Sequence, residues 1–114
     1  MSKDLSISIL MDFYGELLTQ KQRDTLDFYY NSDYSLAEIA EHFDISRQGV
    51  RDFIKRGEKQ LAEFEEKLGM VKKYSTISSH ISEIESVMES NNTVIADSVH
   101  KKISKILAEI KKEL

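Results

Sequence analysis

From Leu5 to Ile110 apolar residues recur mostly at three- or four-residue spacing, and no proline anywhere in the 114 residues interrupts them. Positions three or four apart share one face of an α-helix, whereas a strand needs alternation at two. With four glycines, 32% charged and 40% apolar residues, the chain has the make-up of a solvent-facing all-α protein rather than a sheet or a disordered segment. Local chemistry sets the helix ends. Leu5, Ile9, Leu10, Phe13 and Leu17 predict an amphipathic helix over about residues 4–14, ending near Gly15. Thr19-Gln20-Lys21-Gln22 has the capping-box form, in which a hydroxyl and a Gln three residues later each satisfy an orphan backbone donor. It predicts a second helix from about 20 to 30, with Leu26, Tyr29 and Tyr30 inward and Asn31-Ser32-Asp33 as the stop. Ser35-Leu36-Ala37-Glu38 opens a short third helix with Leu36, Ile39, Ala40 and Phe43 on its inner face. Ser46 caps a long fourth, in which Val50, Ile54, Leu61, Phe64 and Leu68 keep helical spacing up to Gly69. Gly49 and Gly57 lie inside it, each costing about 1 kcal/mol against alanine; close packing that excludes a side chain is the expected reason.

From Lys72 the chain changes character. Aromatics almost vanish after Tyr74 and serine recurs at 75, 78, 79, 82, 86 and 90. Ile77, Ile81, Ile84 and Met88 still hold a helical stripe, and Ile95, Val99, Ile103, Ile106 and Ile110 continue one. Asn91-Asn92-Thr93 separates the two and can cap the second. The expected division is residues 1–70 as one domain and 71–114 as a C-terminal helical pair. Narrow apolar stripes must be buried, either by folding back on the first domain or by pairing with a second copy. The expectation adopted is a homodimer whose seam uses Ile77, Ile81, Ile84, Ile103, Ile106 and Ile110.

The net charge of −4 argues against general adhesion to nucleic acid or anionic lipid. Its distribution says more: residues 1–17 carry −2, residues 18–69 carry −3 and residues 70–114 carry +1. Within the middle block, residues 46–59 reach +3, with Arg47, Arg51, Lys55, Arg56 and Lys59 against Asp52 and Glu58. A basic stripe sits inside an acidic domain.

Residues 35–55 place two helices across a tight turn, with Ala40 where they must approach closely and Ile45, Val50 and Phe53 or Ile54 toward a shared core. Those are the spacings of a helix-turn-helix, although an ordinary helical hairpin shares them. The wording narrows the choice. Leu18-Thr19, Gln22-Arg23, Ser35 through Glu41, Ile45-Ser46-Arg47, Val50-Arg51 and Lys55-Arg56 resemble region 4 of bacterial sigma factors. Extended to Phe13-Tyr14-Gly15, Leu17-Leu18-Thr19, Lys21-Gln22, Tyr29-Tyr30, Asp33-Tyr34-Ser35-Leu36, Ser46-Arg47-Gln48, Ile54-Lys55-Arg56 and Glu65 through Gly69, the pattern resembles the YlxM family of small bacterial proteins over about residues 5–70. That resemblance implies a sigma-region-4-like helix-turn-helix, a DNA-binding or regulatory role, and an association with the signal recognition particle pathway. Four positions depart from the pattern: Asp44 stands where such motifs turn on glycine, Gly49 and Gly57 replace better helix formers, and Arg51 replaces a frequent aromatic.

If the fourth helix enters a major groove, Arg47, Gln48 and Arg51 are the candidates for base edges, Arg suiting guanine and Gln adenine. Lys55, Arg56 and Lys59 lie further along, toward phosphates. The competing expectation is a solvated face whose cations pair with Asp52, Glu58 and Glu63 along the helix. A single module inside an acidic domain binds weakly, so specific binding to duplex DNA calls for a dimer or a partner. A protein- or RNA-interaction module of the particle's pathway is the alternative function.

Catalysis is not expected. His42, His80 and His100 stand alone at no metal-ligand spacing, and the acidic clusters at 63–66 and 83–89 suit solvated helix faces. There is no phosphate-cradling glycine loop, and neither a metal nor a cofactor is expected. With no cysteine there is no disulfide, thiolate zinc site or cysteine nucleophile. No run approaches the roughly 18 apolar positions of a membrane span, and a cytoplasmic setting is expected.

Overall fold

The computed structural model describes residues 5–90 and 94–114. Among these the chain forms six α-helices and no strand: α1 Leu5–Tyr14, followed by a 3-10 turn at Gly15–Leu17, α2 Gln20–Tyr30, α3 Leu36–Phe43, α4 Arg47–Leu68, α5 Met70–Glu89 and α6 Asp97–Lys112. The protein is all-α, as its spacing predicts. None of the described helices is long and apolar enough to cross a membrane. The chain divides into two compact units, Met1–Val71 and Lys72–Leu114.

In the first unit the caps form where the sequence signals them. The Thr19 hydroxyl accepts from the Gln22 N–H at 3.3 Å while the Gln22 side chain accepts from the Thr19 N–H at 3.4 Å. Ser35 and Glu38 repeat the exchange at 3.1 Å each way, and the Ser46 hydroxyl accepts from the Gly49 N–H at 2.9 Å. Asp44 ends α3 in the left-handed region at φ 54°, where Asp is better tolerated than most side chains. Helix α4 is the spine. It packs on α1, α2 and α3 and presents Val50, Ile54, Gly57 and Leu61 to a core shared with Met11, Tyr14, Leu18, Leu26, Ile39 and Ala40. Gly57 is there because of packing: a Cβ built on it would meet Leu26 Cδ1 at 2.7 Å.

Helix α1 is turned from the expected orientation. Ile9, Phe13 and Leu17 face solvent, Leu17 with 59% of its surface exposed, while Met11, Tyr14 and Leu18 are buried and Ile7 and Leu10 pack beside them. The helix is apolar nearly all round, so either row could serve the core by hydrophobicity alone. The Tyr14 row wins a polar contact as well. The Tyr14 hydroxyl donates to Glu65 Oε1 at 2.5 Å and accepts from the Met70 N–H at 2.9 Å, while the Val71 N–H donates to the same carboxylate oxygen at 3.0 Å. Only Gly69, at φ 61°, separates α4 from α5, leaving no room for a cap; Tyr14 and Glu65 satisfy the first orphan donors of α5 instead. Burial, with Glu65 adding to it, raises the Tyr14 pKa above its ordinary 10.0. Leu68, expected inward, is exposed in the last turn of α4.

In the second unit Ile81 and Leu107 are the buried side chains, and Lys111 Nζ meets Glu85 Oε1 at 2.6 Å. Leu107 was absent from the expected stripe, which ran through Ile103, Ile106 and Ile110. Helix α6 starts after Ala96 without a side-chain cap; the proposed separator Asn91-Asn92-Thr93 lies outside the described residues.

Candidate nucleic-acid interface

Helices α3 and α4 form the helix-turn-helix. The turn is closed by the Ile45 N–H donating to the Ala40 carbonyl at 3.0 Å, and Ala40 and Val50 are buried on either side of it. Because Val50, Ile54, Gly57 and Leu61 point inward, the opposite face of α4 is left to water. Arg47, Gln48, Arg51, Lys55, Arg56 and Lys59 are all exposed. Arg47, Arg51, Lys55 and Lys59 follow at intervals of four, which on an α-helix makes a gently spiralling strip about 18 Å long.

The acids that could have neutralised this strip do not. Asp52 accepts from Gln48 Nε2 at 3.1 Å, and Glu58 accepts from the Tyr30 hydroxyl. Among the described residues, none of the five cations forms an ion pair with Asp52, Glu58 or Glu63. The same geometry qualifies one base-reading candidate, since the Gln48 amide must leave Asp52 before it can meet an adenine. Arg56 falls off the strip. Its Cζ lies 5.1 Å from the centre of the Phe53 ring, and Lys21 Nζ lies 5.1 Å from the same ring and 5.9 Å from that of Phe43. Arg56 therefore belongs with Lys21, from the first turn of α2, as a second cationic pair flanking the strip. Among the described residues no group of three or more His, Asp or Glu is gathered as a metal site.

Residues 1–106 match the family model UPF0122, whose description is "Putative helix-turn-helix protein, YlxM / p13 like". The chain belongs to the UPF0122 family. A UPF0122 protein of Thermoanaerobacter sp. is 46% identical over 110 residues, covering 96% of this chain and 92% of the relative. One from Listeria welshimeri is 51% identical over 86 residues, 75% of this chain and 78% of the relative. One from Acetivibrio thermocellus is 58% identical over 74 residues, 65% of this chain and 63% of the relative.

Lys21 and Phe53 are the members of this UPF0122 surface that motif reasoning passed over as contributors. The capping box at Thr19 was the available signal, because it fixes Lys21 in the exposed first turn of α2. The six isoleucines expected at a dimer seam do not share one environment. Ile77, Ile84, Ile106 and Ile110 are exposed and Ile103 is half-buried, whereas Ile81 retains only 4% of its surface and is used inside its own unit.

Proposed function

We propose that this UPF0122 protein is a non-enzymatic regulator that binds duplex DNA through α4 and acts as a homodimer. The observation that carries this reading is the strip Arg47, Arg51, Lys55 and Lys59, exposed on the second helix of a helix-turn-helix and free of the helix-surface ion pairs that could have silenced it. Arg47 lies at the N-terminus of α4, the end that meets base edges when such a helix enters the major groove; Arg51 is one turn on, and Lys55 and Lys59 reach phosphates. Lys21 and Arg56 extend the phosphate contacts to one side. The rest of the first unit is acidic, so affinity calls for a second subunit. Ile77, Ile84, Ile106 and Ile110, apolar and exposed, supply its seam. The resemblance to YlxM proteins supports a cytoplasmic setting beside the signal recognition particle.

Fluorescence anisotropy with labelled duplex DNA tests this reading: wild type binds at low salt and Arg47→Ala/Arg51→Ala does not, whereas equal binding by both would overturn it. One observation favours a second reading, a protein- or RNA-interaction module of the particle's pathway: Gln48 is engaged by Asp52 rather than presented to a base. Retention of the particle's protein or RNA on the immobilised chain, with no DNA binding, is the result that reading requires.

A further inference from the structure

A cleft of about 390 Å³ lies along one flank of the basic strip, lined by Tyr29, Tyr30, Leu36, Arg51, Ile54, Lys55 and Glu58. Its floor is aliphatic and aromatic. Leu36 is half-buried, Ile54 is buried, and Tyr29 and Tyr30 meet edge-to-face with ring centres 5.0 Å apart. The rim bears Arg51 and Lys55, one helical turn apart and without an ion pair among the described residues. Glu58, the one acid at the edge, holds the Tyr30 hydroxyl. We infer that this cleft is a docking groove for an acidic, apolar peptide segment of a partner protein.

Charge and shape favour that occupant over others. The volume of the cleft accommodates two or three apolar side chains, the usual content of a groove that takes an amphipathic segment. Acidic groups on the peptide meet Arg51 and Lys55. A nucleic-acid strand suits the groove less well, because Leu36 and Ile54 give its floor no donor for a base edge. The exposed stripe of α6 in a second copy carries the wrong charge, being flanked by Lys101, Lys102, Lys105, Lys111 and Lys112. The inference does not depend on DNA binding. Where α4 does bind DNA, both ligands need Arg51 and Lys55, so docking of the peptide displaces the duplex.

The test pans a random dodecapeptide library on the immobilised full-length protein, then titrates the enriched peptides by anisotropy and amide chemical shifts. The expected peptides carry aliphatic or aromatic residues three or four apart beside Asp or Glu. They shift the amides of Tyr29, Tyr30, Leu36 and Lys55, and lose affinity about ten-fold or more in Arg51→Glu/Lys55→Glu while staying within about two-fold in Lys59→Glu. Four results overturn the inference: no enrichment, enrichment of peptides without acidic residues, shifts confined to another surface, or groove shifts that appear on concentrating the protein alone, which would make a second copy the occupant. Peptide binding by the wild-type protein without duplex binding upholds this inference and removes the DNA reading, and duplex binding without peptide binding does the reverse.

Discussion

Gly57→Ala sets two effects of opposite sign against each other inside α4. Replacing a mid-helix glycine by alanine ordinarily stabilises by about 1 kcal/mol. Here the new methyl would sit 2.7 Å from Leu26 Cδ1 and 3.2 Å from its Cγ. Leu26 is fully buried, so it cannot swing into water and must take a poorer rotamer against Ile39, Val50 and Leu61. Overpacking of this kind costs about 1–3 kcal/mol, so the net effect is a loss of about 1 kcal/mol, equivalent to a fall of roughly 4–8 °C in Tm for a unit of this size. Urea unfolding followed by circular dichroism measures it. A second arm isolates the cause: in a Leu26→Ala background, itself destabilised by about 2–5 kcal/mol, the same Gly57→Ala change has room and becomes stabilising. If Gly57→Ala stabilises the wild-type protein, or if its effect is unchanged by Leu26→Ala, packing is not why glycine stands there.

Four further outcomes are expected. Tyr14→Phe takes one donor from the Glu65 carboxylate and leaves the Met70 N–H at the α4–α5 joint without its acceptor, and destabilises by about 1–3 kcal/mol; an equilibrium change below about 0.5 kcal/mol would remove the bridge from the account of that joint. Because the folded state raises the Tyr14 pKa above its ordinary 10.0, its contribution is complete below pH 10.0 and declines as pH rises toward the folded value; a tyrosinate absorbance titration of wild type and Tyr14→Phe detects the difference, and identical curves would contradict it. Asp44→Gly relieves a side chain held at φ 54° and stabilises by about 0.5–1 kcal/mol, readable in the same urea experiment. Ile106→Glu, at a position 54% exposed, converts the proposed homodimer to monomer in sedimentation velocity while leaving helical content unchanged; a wild-type monomer at tens of micromolar removes the dimer itself.

Capping chemistry was the most legible part of this fold. Thr19, Ser35 and Ser46 each act within four residues of themselves, so nothing distant could overrule them. Gly57 was legible as a contradiction, because a poor helix former inside a strong helix asks for a neighbour too close for a methyl; that the neighbour is Leu26 is tertiary information. The face of α1 was not legible. Ile9-Phe13-Leu17 and Met11-Tyr14-Leu18 are equally good stripes, and the choice between them rests on Glu65, more than forty residues away in sequence. At the interface, the spacing of Arg47, Arg51, Lys55 and Lys59 could be read directly as one strip. Whether Asp52 and Glu58 would cancel it could not, because their partners depend on the rotamer of Gln48 and on a tyrosine from another helix. Ile81, buried while Ile77 and Ile84 are exposed, was hard to tell from them for a related reason: a regular stripe does not say which of its members is covered within the single chain.

The salt dependence of duplex binding probes the role of α4 most directly. The four phosphate-facing cations Lys55, Lys59, Lys21 and Arg56, releasing counterions, give a log-log slope of affinity against salt near −4, and Lys55→Ala/Lys59→Ala makes it shallower by about two. A duplex that does not bind at low salt, or a slope indifferent to that double substitution, would mean that α4 is not a nucleic-acid-binding helix.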